Sequence, residues 1–124
     1  MASGEGSHAE GIGTHATNSG SHAEGKGIAD GGWLFFKLTE ASGVGSHAEG
    51  IGTTASGYGA HAEGGSIYEG NIDEYGTCYS VTRDTIAEGS YSHAEGQGTQ
   101  ARGTGSHSEG YWTSALGSYS HAGG

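Results

Sequence analysis

The sequence predicts an all-β chain wound as a parallel β-roll, a solenoid of fourteen-residue coils, and three observations predict it. The pentapeptide Ser7-His8-Ala9-Glu10-Gly11 returns, in full or as a near copy, at His22, His47, His61, His93, His107 and His121. The spacing is fourteen except for steps of 25 and 32, which read as fourteen with 11 and 18 extra residues. Each fourteen divides into two sevens of one design, Ser-His-Ala-Glu-Gly-x-Gly and Thr-x-Ala-x-Gly-x-Gly, as in Ser46 to Gly52 and Thr53 to Gly59. A fixed period of this kind is the mark of stacked units.

Each seven is read as one short strand and a bend. Strand side chains alternate between faces, so Ser46 and Ala48 point one way and His47 and Glu49 the other. In the partner half Thr53 and Ala55 share a face, opposite Thr54 and Ser56. The small residues recur in both halves and are assigned to the interior; glycine at the bends permits reversals with positive φ. A helix is excluded, because a glycine pair in every seven residues costs about 2 kcal/mol of propensity and no apolar a/d seam offsets it. Stacked about 4.8 Å apart, seven coils make a rod of roughly 34 Å.

The rod has two external faces. One repeats His and Glu without variation: His8/Glu10, His22/Glu24, His47/Glu49, His61/Glu63, His93/Glu95 and His107/Glu109, with His121 closing the imidazole row. The other is varied: His15/Thr17, Glu40/Ser42, Thr54/Ser56, Ile86/Glu88, Gln100/Arg102 and Ser114/Leu116. A uniform face packs against something equally regular, and the simplest regular partner is another copy of the chain. The imidazole row is therefore assigned to a subunit interface and the varied face to solvent.

Both departures from fourteen enter between a His half and the next Thr half, at residues 28–38 and about 65–84, so both leave from one edge of the rod. Repeat proteins hang binding loops in such places. The first contains the most apolar run of the chain, with Trp33, Phe35 and Phe36. The second alternates Tyr with β-branched residues around Gly, which reads as a hairpin or a pair of short strands. Tyr68, Tyr75 and Tyr79 are candidate recognition residues, since tyrosine gives large contact area at low entropic cost; packing within the protein is the competing role for all six aromatics.

Composition bounds the function. At 124 residues the chain is one domain. It has 28 Gly, no Pro and a formal charge of −10. Leu, Ile, Val and Phe together make only 13 residues, a content that with this charge falls in the disordered range; seven copies in register override it. Four Lys+Arg against 14 Asp+Glu exclude a phosphate-neutralising nucleic-acid surface and disfavour an anionic membrane. No apolar run reaches the length of a spanning helix, and the start, Met1-Ala2-Ser3-Gly4-Glu5, lacks the features of an export signal. Cys78 is alone, forms no disulfide within the chain and is assigned a small apolar role.

Coils built of His47-Ala48-Glu49-Gly50 followed by Thr53-Thr54-Ala55-Ser56-Gly57 resemble the head repeats of trimeric autotransporter adhesins of the YadA type. The Ser-His-Ala-Glu-Gly arrays are also similar to those of phage tail-fibre and tail-spike proteins. The resemblance covers nearly all the chain outside the two inserts. It implies a left-handed parallel β-roll assembled as a homotrimer, located on a virion tail or a bacterial cell surface, with attachment to a host or cell-surface receptor as its role. His-x-Glu stands where those adhesin heads carry more apolar strands, and no stalk or anchor accompanies the repeats. These departures turn the expectation toward a phage-type fibre segment or a head on its own.

The chemistry of the repeats supports binding before catalysis. Imidazole and carboxylate suit transition metals, so the twelve residues from His8 and Glu10 to His107 and Glu109 form an alternative metal or anion ladder; a hydrogen-bonded structural ladder is the competing reading. Imidazole in water titrates near pH 6.5, and protonating all eight His would move the formal charge from −10 to −2. No enzyme is expected, because no coil is chemically unlike the others, and no cofactor is expected either. The Gly-x-Gly elements are turns without a following helix, not phosphate loops. The ladder of Thr14, Thr39, Thr53, Thr85, Thr99 and Thr113 points inward, which argues against ice binding.

Overall fold

In the computed structural model, residues 1–29, 35–69 and 80–124 are described. They form β-strands and turns, with no helix among the described residues. Trp33, Tyr75, Cys78 and Tyr79 lie outside them, and Phe35, Phe36 and Tyr68 enter only as strand positions.

The His halves make a seven-stranded parallel sheet: β1 (His8–Ile12), β3 (His22–Lys26), β7 (His47–Ile51), β9 (His61–Gly65), β13 (His93–Gln97), β15 (His107–Tyr111) and β17 (His121–Ala122). The Thr halves make a six-stranded parallel sheet: β2 (Thr14–Ala16), β6 (Thr39–Ala41), β8 (Thr54–Ala55), β12 (Ile86–Ala87), β14 (Gln100–Ala101) and β16 (Ser114–Ala115). The chain alternates between the sheets, one strand in each per coil. Register is kept letter for letter, with His22 opposite His47, Ala23 opposite Ala48 and Glu24 opposite Glu49, and His61 opposite His93 across the longer insert. The parallel solenoid of two-stranded coils is therefore present as expected.

Between the sheets lies a core of small side chains. Ala23, Ala48, Ala62, Ala94 and their counterparts on the Thr strands are fully buried, together with Thr39, Thr53, Thr85 and Thr99 and the serines that open the His strands. The hydroxyls have local duties. Ser46 Oγ donates to the Gly43 carbonyl at 2.7 Å and Ser106 Oγ to that of Gly103 at 2.6 Å, which satisfies each buried hydroxyl at a corner carbonyl that also accepts the serine's own N–H. Thr39 and Thr85 Oγ1 each accept the backbone N–H of the next coil's bend, at Gly52 and Gly98, both at 2.8 Å.

One glycine column sets how closely coils stack. Gly50 has φ +111°, and a Cβ there would lie 1.9 Å from the Gly64 carbonyl oxygen; the same clash recurs from Gly11 to Gly110. Any side chain forces the coils apart. The opposite corner is a four-residue turn, as in Gly43 to Ser46, closed by Ser46 N–H to Gly43 O at 3.1 Å with Gly45 at φ +64°. That geometry needs positive φ at its third residue, as in a type II turn.

Both inserts leave the rod as antiparallel pairs: β4 (Ile28–Ala29) with β5 (Phe35–Lys37), and β10 (Ile67–Glu69) with β11 (Ser80–Arg83). Their bases are built alike. Ile28 opposes Lys37 and Ile67 opposes Arg83, and each couple lies over the bend glycine of the following coil, Gly52 or Gly98. The Lys37 ammonium donates to Thr54 Oγ1 at 2.5 Å. The Arg83 guanidinium donates to the Gly98 and Thr113 carbonyls at 2.5 and 3.0 Å and lies 5.0 Å over the Trp112 ring. Each excursion is thus pinned by an aliphatic residue and a cation to coils it does not belong to.

Candidate functional site: the imidazole and carboxylate face

The outward residues of the seven-stranded sheet form two columns. Strand alternation and exact register place each imidazole above the last, with ring centroids 4.6 to 5.0 Å apart along the column. From His22 to His107 successive rings are parallel within 2 to 4°. Beside them run the carboxylates, and from Glu24 onward each bonds the imidazole of the next coil. His47 Nε2 donates to Glu24 at 3.2 Å, His61 to Glu49 at 3.0 Å and His93 to Glu63 at 3.1 Å. His107 donates to Glu95 at 2.9 Å and His121 to Glu109 at 3.0 Å. An ionised carboxylate only accepts, which places the proton on Nε2. The side chains of the inner coils are about one-third exposed.

The carboxylates also touch one another along the column. Burial raises the Glu49 carboxyl, but hydrogen bonds from Glu63, Glu24 and His61 and the charge of His47 outweigh it and bring it down to about 2. Glu63 moves up from its ordinary 4.5, through burial first and then hydrogen bonds with Glu49 and Glu95. Glu95 moves down, held by Glu63 and His107. Three consecutive carboxyls therefore alternate in direction, down, up and down, as interacting neighbours do. Along this column runs an open groove of about 830 Å³ lined by Glu10, Glu24, Glu49, Glu63 and the glycine column.

The structure brings His8 through His121 and Glu10 through Glu109 onto one face, as the repeat predicts. It gives the inner coils the geometry of a hydrogen-bonded ladder. A metal ion binds an imidazole nitrogen in the plane of the ring, and parallel rings 4.6 to 4.9 Å apart direct their lone pairs side by side, not at one point.

Other surface residues escape sequence reasoning. Tyr91, Trp112 and Tyr119 adopt φ of 58 to 59° at positions where other coils have glycine, and all three are exposed. The Tyr91 ring lies against Gly59 of the coil before it and meets Tyr58 edge-on at 5.6 Å. Aligning the repeats reveals the signal: Gly89-Ser90-Tyr91-Ser92 stands where Gly43-Val44-Gly45-Ser46 stands.

Fold and face together define a parallel β-solenoid carrying a stacked imidazole and carboxylate ladder. The chain matches no family model, no curated protein and no solved structure, so its class rests on its own geometry.

Proposed function

We propose that the chain is a non-enzymatic fibre or head segment, a left-handed β-roll that assembles as a homotrimer through its imidazole and carboxylate face. The two hairpins, rooted on one edge, are presented for attachment to a host or cell-surface receptor, on a virion tail or a bacterial surface. One observation carries this reading. The outward positions of the Thr sheet hold His15, Glu40, Thr54, Ile86, Gln100 and Ser114 without disturbing register, so the fold does not dictate outward residues. The His sheet nonetheless repeats one pair from His8/Glu10 to His107/Glu109, and an open groove lined by its glutamates suits a partner with the same repeat.

The core supports the same conclusion. Its buried apolar residues are alanines, with Ile28 the one larger exception among the described residues. A chain of this size with so little apolar burial gains stability from neighbours. Light scattering on the purified chain tests the proposal. A particle of three times the 12.4 kDa chain mass is expected, and a folded, stable monomer at micromolar concentration sinks it.

A further inference from the structure

The first coil breaks the ladder: His8, Glu10 and His22 bring three ligating groups within 4.8 Å of one another, as the inner coils do, but without the bond that ties the inner imidazoles. The bond that His47 to His121 each make to the preceding glutamate is missing at His22, whose Nε2 lies 3.9 Å from Glu10 and 3.7 Å from Glu24, is buried at the atom, and has no hydrogen-bond partner. Glu10 instead spans two imidazoles, with Oε2 3.6 Å from His8 and Oε1 3.9 Å from His22. Here alone the rings are tilted, by 38°, so their planes meet. The break is not a consequence of lying at an end of the rod: at the other end His121 keeps its 3.0 Å bond and a ring tilt of only 13°.

Separations of 3.6 to 3.9 Å are too long for hydrogen bonds. They suit atoms sharing one ion: with bonds of about 2.0 to 2.2 Å, two ligands stand roughly 3.3 Å apart at a tetrahedral angle and about 4 Å apart at an open one. Two neutral imidazoles and a carboxylate are a donor set for borderline divalent ions such as zinc. We infer that His8, Glu10 and His22 bind one zinc-class ion per chain, with solvent or Glu24 Oε2 completing the shell. His8 and Glu10 are both more than half exposed, which leaves the site open to an entering ion. The inference concerns the first coil, and the exposures are those of the single chain.

Zinc titration of the full chain by calorimetry tests it. One equivalent per chain is expected, with affinity falling at least tenfold in His8→Ala and in the shape-preserving Glu10→Gln, and unchanged in His15→Ala on the other sheet. No uptake at micromolar zinc overturns the inference. So does retention of binding in both His8→Ala and Glu10→Gln, or an equal loss in His15→Ala. A measurement on the unaltered chain stands independently of any folding defect: substoichiometric Cu²⁺ should broaden the ring resonances of His8 and His22 first, and uniform broadening along the imidazole row refutes a distinct site.

Discussion

The two sheets of the rod share an inward column of Ala, Ser and Thr and a column of glycines at which a Cβ would strike the next coil, at Gly50 in one sheet and at Gly57 in the other. They differ in their outward columns. On the Thr sheet coils are joined through backbone and interior, with occasional surface pairs such as Arg102 with Glu88. On the His sheet every inner coil also bonds its neighbour through an imidazole and a carboxylate. The comparison separates two kinds of repetition. The stacked glycines repeat because a Cβ at them would meet the backbone of the next coil; His and Glu repeat although the outward positions of the other sheet hold many different residues.

The largest effect should come from the positions common to both sheets. Gly50→Ala places a methyl 1.9 Å from the Gly64 carbonyl oxygen at a φ of +111°, and is expected to remove more than about 3 kcal/mol or prevent folding. Glu40→Ala, on the outward column of the Thr sheet, should stay within about 0.5 kcal/mol. Urea melts of the two variants compare them directly. Equal losses would mean that the outward residues are as much a part of the fold as the glycines.

A smaller effect should separate the carboxylates of the His sheet from one another. Glu49 and Glu95 are depressed below 4.5, so the stability they contribute is present above that pH and is lost as pH falls through their lowered values, about 2 for Glu49. Glu63 is raised, so its contribution is present below 4.5 and is lost as pH rises through its folded value. Glu63 faces His61, His93, Glu49 and Glu95, and the neutral Glu63→Gln isolates its part from theirs. Glu63→Gln should be more stable than the parent at pH 7, by up to about 1 kcal/mol for partly exposed groups, with the advantage vanishing near pH 4. Glu49→Gln should be less stable at pH 7 and lose less on acidification. Thermal melts between pH 3 and 8 decide; a Glu63→Gln variant less stable than the parent at pH 7 rules out the upward displacement of Glu63.

How far the sequence foretells this structure follows the same division. Period, strand alternation and the inward Ser, Thr and Ala are legible because each obeys a rule of backbone geometry that repeats with the letters. The column of imidazoles follows from register alone. What register does not encode is where a side chain turns: His22-Ala23-Glu24 and His47-Ala48-Glu49 are the same letters, yet His22 alone among the inner imidazoles lacks its glutamate bond. The hairpin bases were hidden for another reason. Ile28 and Lys37 act on Gly52, and Ile67 and Arg83 on Gly98, contacts with a following coil that no local pattern announces. Nor does a rule that reserves positive φ for glycine find Tyr91, Trp112 and Tyr119.

Those aromatic corners provide the smallest and most discriminating test, because they lie where the two sheets meet and belong to neither kind of repetition. A non-glycine residue in the left-handed region costs about 1 kcal/mol, and Tyr91 recovers part of that by laying its ring on Gly59 and Tyr58, while two-thirds of it stays in solvent. Tyr91→Gly removes both the strain and the contact, and should change stability by no more than about 0.5 kcal/mol. Tyr91→Ala keeps the strain and loses the contact, and should be worse than Tyr91→Gly by about 1 kcal/mol. If urea midpoints place glycine level with tyrosine, the ring adds nothing to the chain by itself, and its exposure in a strained turn finds its reason in contacts beyond the chain. If glycine proves as damaging as alanine, the ring is a clasp between coils, and the corner joins the glycine and alanine columns as part of the fold.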